Sequence, residues 1–229
     1  MAARHRAATI DLGTGDGRYV LAAAAGEPDR LVVGVDASAA AMAEASRRAA
    51  RRVERGGLPN ALFVVAAAEA LPAELDGLAD LVTVHFPWGS LLRGLLTADP
   101  AVLGGLARVL RPGATLSMLV SSTARDRGAG VGPIDQRSLA ELTAAYHRHG
   151  LAVTTARPAT PDDVAASRST WGRRLGAGAH RPAWLLRATR VPAASAEPGQ
   201  PGPGLVEPGG GLLQAGPRVG GGEPFRDGG

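Results

Sequence analysis

The chain has 229 residues, 45% hydrophobic and 20% charged, which is enough for one α/β domain with a full core. It contains no cysteine, excluding disulfides, thiolate metal sites and a cysteine nucleophile, and its apolar runs fall short of the roughly 20 residues of a membrane span. The net charge is +4 with a pI near 10.7, and every basic residue is arginine.

Met1 stands almost directly before the first strand pattern, leaving no room for a signal peptide, so a cytoplasmic location is expected. Short apolar strand patterns then alternate with alanine-rich helical stretches, the signature of a mostly parallel sheet covered on both faces. Strands are predicted at Ala8 to Leu12, Leu31 to Asp36, Ala61 to Ala66, Ala79 to Phe86, Ala114 to Val120, Leu151 to Ala156 and Ala183 to Thr189. Helices are predicted near Arg18 to Ala25, Ala39 to Arg52, Pro100 to Leu110 and Ser138 to His149. "LRPGA" (110–114) reads as a helix stop and a tight turn, and "TARDRGAGVGP" (123–133) as a mobile loop. Residues 1–190 form one domain in this reading. Residues 191–229, rich in Gly and Pro and poor in apolar side chains, read as a disordered tail without assigned function.

"TIDLGTGDGRYV" sets a strand, then Gly13, Gly15 and Gly17, then a helix. Such glycines permit a tight turn and close approach of a ligand to the backbone at a helix N-terminus. The spacing departs from the dinucleotide fingerprint G-x-G-x-x-G, since position 18 is Arg, and Asp11 precedes the first glycine by two places. D-x-G-x-G-x-G resembles the first motif of class I S-adenosylmethionine-dependent methyltransferases. Asp36, at the end of the second strand, suits the two hydroxyls of a ribose, although it could instead cap the helix that follows, a role also open to Ser38. Ala68 and Glu69 follow the third strand at the same edge, where the cofactor's adenine would lie.

The fourth strand runs into "HFPWGSLLRG", which puts Phe86, Pro87 and Trp88 at that edge. Many enzymes that methylate exocyclic amines carry a polar residue where Phe86 stands. What remains here is an aromatic plate suited to stacking a base, or a tryptophan that merely covers the sheet edge. Trp171, in the polar connector "SRSTWGRRL" with Arg168, Arg173 and Arg174, could pair with Trp88 around a base taken out of its stack, whereas Trp184 lies in an apolar strand and reads as packing. "SRRAARRVERGG" places Arg47, Arg48, Arg51 and Arg52 at helical spacing, with Arg55 beyond. This is either a solvated face or a stripe for an RNA backbone.

Taken together, "DLGTGDGR", "SRRAARRVERGGLPN", "AAAEALP", "FPWGSLLRG" and "STWGRRL" resemble, in this order, the 16S rRNA (adenine(1408)-N(1))-methyltransferases of aminoglycoside producers and resistant pathogens. The resemblance covers about Thr9 to Arg190. It implies a class I, Rossmann-like seven-stranded sheet and S-adenosylmethionine as cofactor, held by the segment around Asp11, Gly13, Gly15 and Gly17 and by Asp36, Ala68 and Glu69. His85, Phe86, Pro87, Ser90, Ser169 and Thr170 would close the pocket, and Trp88 and Trp171 would stack on the target adenine. Arg47, Arg48, Arg51, Arg52, Arg55, Arg174 and Arg181 would dock on the 30S subunit, with the enzyme acting as a monomer and using neither a metal nor a general base. Two departures stand out. Met1 comes where the family carries a short N-terminal docking hairpin ahead of the first strand, and Ala179 stands where the family often carries Arg.

Overall fold

A computed structural model describes residues 5–124, 126 and 130–192, which lie within the compact unit Met1–Ala194. The tail expected over 191–229 falls outside these residues from position 193 onward. Seven strands, β1 (Ala7–Leu12), β2 (Arg30–Asp36), β3 (Ala61–Val65), β4 (Ala79–His85), β5 (Leu110–Val120), β6 (Leu151–Pro158) and β7 (Trp184–Arg190), form one sheet in the order β3-β2-β1-β4-β5-β7-β6. All neighbours from β3 to β5 are parallel, and β7 is antiparallel to both β5 and β6.

The helices are α1 (Arg18–Gly26), α2 (Ala39–Ala49), α3 (Gly89–Leu96), α4 (Pro100–Val109), α5 (Gln136–Arg148), α6 (Pro161–Ala166) and α7 (Thr170–Arg174). Helices on both faces explain why β1, β2 and β4 are apolar at successive positions and not only at alternate ones. Ile10, Val32, Val82 and Val84 are fully buried. The chain leaves β1 toward β2 and β3 on one side and returns to β4 on the other. The crevice at the carboxyl ends of β1 and β4 is therefore the topological switch point where such sheets bind ligands.

Four local features differ from the sequence reading. Strand β5 begins at Leu110, so "LRPGA" lies inside it. Leu110 pairs with Ala79, and the register then shifts around Gly113, whose φ of 80° only glycine adopts readily. Helix α2 stops at Ala49, so Arg51 and Arg52 are not on it. The chain folds back so closely that a Cβ on Gly57 would stand 1.8 Å from the Arg51 carbonyl oxygen, and Leu58 N–H caps the Ala49 carbonyl at 2.9 Å. Three short helices, α3, α6 and α7, occupy stretches with no predicted element. The segment expected to be a mobile loop is pinned at Asp126, which accepts from Thr123 N–H at 2.7 Å and from Arg181 at 2.6 Å. Residues 125 and 127–129 of it lie outside the described residues.

Candidate active site: a cleft at the carboxyl edge of the sheet

A cleft of about 540 Å³ opens over the ends of β1, β2, β3 and β4. The loop after β1 forms its floor, and its glycines have distinct duties. Gly13, Gly15 and Gly17 all have positive φ, at 73°, 56° and 70°. Gly13 donates to the Val35 carbonyl at 2.8 Å and lies so near α3 that a Cβ would meet Leu91 Cδ2 at 2.7 Å. Gly15 lines the cleft, and a Cβ there would meet no atom within 4 Å, leaving its backbone open to a ligand. Gly17 does not line the cleft, contrary to the expectation that it binds cofactor. A Cβ there would stand 2.6 Å from Ala45 Cβ and 2.7 Å from the Phe63 ring, so its role is to let α1 begin against α2 and β3.

The two oxygens of Asp36 accept from Gly15 N–H at 2.9 Å and Ser38 N–H at 2.8 Å. The cap of α2 falls to Ser38, whose hydroxyl accepts from Ala41 N–H at 3.3 Å. Each Asp36 oxygen thus keeps acceptor capacity toward the cleft. Ala68 and Glu69 lie in a single 3-10 turn after β3 and line the cleft, Ala68 buried and Glu69 exposed. Asp11 is buried at the end of β1 and accepts from the Thr83 hydroxyl at 2.7 Å. His85 Nδ1 lies 3.3 Å from Asp11 Oδ1 but is misaligned and makes no hydrogen bond. The Tyr19 ring packs edge-on to His85 with centroids 4.5 Å apart, and burial, reinforced by the Asp11 charge, raises the Tyr19 hydroxyl pKa. Thr14 Oγ1 is another buried polar atom without a partner at this cleft. The open glycine loop, the half-committed Asp36 carboxylate and these two orphaned atoms fit a polar nucleoside cofactor.

Opposite this floor, β4 is followed by Phe86, whose φ of 51° is strained for a bulky side chain. Its ring is buried against Leu119, Ala177 and Leu185, and Gly172 of α7 abuts it so closely that a Cβ would stand 2.5 Å away. Pro87 and Ser90 line the cleft beside it. Ser169 caps α7 by accepting from Gly172 N–H at 3.0 Å, and Thr170 Oγ1 donates to Asp16 Oδ2 at 2.7 Å, latching α7 to the glycine loop. Ser169 and Thr170 thus close the pocket as expected, and each hydroxyl uses only part of its hydrogen-bonding capacity in building the wall.

Trp88 and Trp171 are 51% and 38% exposed, large for tryptophans, and they meet edge to face with centroids 5.6 Å apart. A flat base between parallel plates needs about 7 Å, two carbon–carbon contacts of roughly 3.5 Å each. The two tryptophans expected to sandwich a base are thus brought together as rings in mutual edge contact, without room for a base between them in this arrangement. Thr14, Asp16, Tyr19, Leu91, Ser167 and Arg168 also line the cleft and were not singled out as site residues. Thr14 and Asp16 could have been found, since they alternate with the glycines of the loop. The others depend on how α1, α3 and the β6–β7 connector pack.

The NpmA family profile, 16S rRNA (adenine(1408)-N(1))-methyltransferase, matches residues 1–190. The chain belongs to this family. The 16S rRNA (adenine(1408)-N(1))-methyltransferase of Streptoalloteichus tenebrarius is 39% identical over 171 residues, spanning 72% of this chain and 79% of that protein. Among solved structures, the aminoglycoside resistance methyltransferase NpmB1 superposes with a TM-score of 0.71 at 40% identity, over 83% of this chain and 90% of its own. A tryptophan-to-alanine variant of the Catenulisporales acidiphilia enzyme, with cosubstrate SAM, superposes with a TM-score of 0.76 at 34% identity, over 84% and 89%. The expected class I fold is the fold of this methyltransferase, and S-adenosylmethionine is its cofactor.

The methyltransferase's arginines divide unevenly. Arg47 and Arg48 end α2, Arg51 and Arg52 follow it, and Arg55 lies in a 3-10 turn. All five are exposed, a loose cluster rather than one helical stripe. Arg174 lines the cleft. Arg181, expected to dock on RNA, is only 14% exposed and is held by Asp126 at 2.6 Å and Ser121 Oγ at 2.8 Å, a structural tie between β5 and the connector before β7. Among the described residues no cluster of metal-ligating side chains occurs, and no helix is long and apolar enough to cross a membrane.

Proposed function

We propose that this chain methylates N1 of adenine 1408 through the cleft at the carboxyl edge, with Asp36 and the Gly13–Gly15 turn holding the cofactor and Trp88 and Trp171 holding the base. The substrate is the 30S subunit, met by a monomer in the cytoplasm. The observation that carries this reading is the union, in one cleft, of the Asp36 carboxylate with acceptor capacity to spare and two exposed tryptophans.

When bound, S-adenosylmethionine supplies a methyl group on a positively charged sulfur. Asp36 would accept from its ribose hydroxyls, and Ala68 and Glu69 would hold its adenine side. Adenine N1 presents an in-plane lone pair that is largely unprotonated near neutral pH, so no residue need remove a proton. The chain's contribution is positioning and replacement of the stacking lost when the base is extruded. Trp88 and Trp171 supply that stacking, and the Thr170–Asp16 latch fixes the Trp171 helix relative to the cofactor loop. A methyl group and a positive charge on the pairing edge of the adenine would block an aminoglycoside that reads it, which is resistance.

The test is methylation of purified unmodified 30S subunits with labelled S-adenosylmethionine, followed by reverse transcription across the 16S rRNA. A new stop at adenine 1408 supports the reading. Label with a stop elsewhere moves the target, and no incorporation refutes it.

A further inference from the structure

A second cleft of about 990 Å³ lies behind the Thr170–Asp16 latch, between α1, α2 and the connector that carries α6 and α7. It shares Asp16, Arg168 and Ser169 with the cofactor cleft, so the two hollows adjoin at the residues beside that latch. Helix α7 straddles the divide. Trp171 and Arg174 line the cofactor cleft, whereas Arg173 lines the second.

The second cleft is floored by small apolar side chains and rimmed by Arg18, Arg48, Arg168 and Arg173 against Asp16 and Glu44. Asp16 is already engaged, by Thr170 at 2.7 Å and by Arg18 at 3.3 Å. Among the described residues Arg48, Arg168 and Arg173 have no ion-pair partner. Arg168 holds a φ of 51°, a strained conformation that the local packing maintains at the lip between the two clefts. A smooth floor with a cationic rim and no array of hydrogen-bonding side chains reads charge and shape rather than base identity.

Resting on the function proposed above, we propose that this cleft seats the phosphodiester backbone beside the target nucleotide. The extruded base enters the cofactor cleft, and the strand that carries it crosses the α7 ridge into the arginine-rimmed hollow. Arg18, Arg48, Arg168 and Arg173 engage its phosphates. The site accepts single-stranded RNA by charge, and it explains why the latch lies between two hollows instead of closing one.

The experiment measures methylation of 30S subunits by full-length wild type, an Arg18→Glu/Arg173→Glu variant and an Arg137→Glu/Arg148→Glu control, across a salt series. The control makes the same charge change on α5, away from both clefts. In the cleft variant KM for 30S should rise at least tenfold, and the slope of log KM against log salt should flatten by about 0.7 per lost phosphate contact. The control should stay within about twofold of wild type. Calorimetric affinity for S-adenosylhomocysteine should be the same in all three proteins. A neutral Ala25→Gln/Ala165→Gln variant, filling the hollow from two exposed positions, should raise KM without moving the thermal transition. Equal KM values for the cleft and control variants overturn the proposal even where wild type methylates adenine 1408. Absence of methylation by wild type refutes the function itself, a separate outcome.

Discussion

Gly15 and Gly17 are two residues apart in one loop with similar φ, yet their replacement by alanine should fail in opposite ways. Forcing alanine into the left-handed region costs about 1–2 kcal/mol at either position. At Gly15 nothing else is added, because the methyl group meets no protein atom within 4 Å. At Gly17 the methyl group collides with Ala45 Cβ at 2.6 Å and Phe63 Cε1 at 2.7 Å, an overpacking cost of about 1–3 kcal/mol more. For a domain of this size each kcal/mol moves the melting temperature by roughly 2–4 °C. Gly17→Ala should therefore melt roughly 4–20 °C below wild type, and Gly15→Ala roughly 2–8 °C below. Calorimetry with S-adenosylhomocysteine, run well below both transitions, should reverse the order. Gly15→Ala loses at least about tenfold in affinity, because the loop that the ligand approaches is altered, whereas Gly17→Ala binds nearly as wild type does. A Gly17→Ala protein that melts normally but loses cofactor affinity would refute the division of labour within the loop.

Trp88→Ala and Trp171→Ala should each lower kcat/KM for 30S methylation by roughly 5- to 150-fold, the equivalent of about 1–3 kcal/mol of base stacking, with cofactor affinity unchanged. Asp36→Ala should weaken S-adenosylhomocysteine binding at least about tenfold by calorimetry, since it removes the acceptor proposed for the ribose and frees Gly15 N–H and Ser38 N–H. Arg181→Ala should lower stability by about 3 kcal/mol in urea titrations, because it strands buried Asp126, whereas a free RNA-docking arginine would leave stability intact. The hydrogen bonds from Arg157, at 2.7 and 3.1 Å, hold the Asp163 carboxyl well below its ordinary pKa. Their stabilisation is present above about pH 4 and lost as pH falls through the depressed native value. Asp163→Asn should thus cost about 1–2 kcal/mol at pH 7, discounted for the half-exposed arginine, and the gap to wild type should narrow in acid.

The strands were legible because burial on both faces leaves a plain apolar run between turn residues. The glycine loop was legible because D-x-G-x-G-x-G excludes most other turns. The ends of elements were less so. Arginine is a good helix former, so nothing in "SRRAARRVER" stops α2 at Ala49, and the stop comes from Gly57 folding back onto the Arg51 carbonyl. Helix α3 was missed because it opens on Gly89 and Gly94 interrupts its only full turns. Helix α6 did carry a signal, Thr160 as cap with Pro161 after it and Asp163 closing a capping box, but its six residues are too few to show a period. The duties of Thr170 and Arg181 depend on partners far away in sequence, Asp16 and Asp126, which no local pattern reveals.

The contact between Trp88 and Trp171 also gives the molecule an optical gauge. Of its three tryptophans, two share this contact, and the third, Trp184, lies in β7 with its Nε1 shielded from water. Emission changes on adding an rRNA fragment would therefore come mainly from the catalytic cleft. A purine sliding between the two rings would end their mutual contact and quench both at once, so the moment of base capture can be timed in a stopped-flow fluorimeter without attaching any dye.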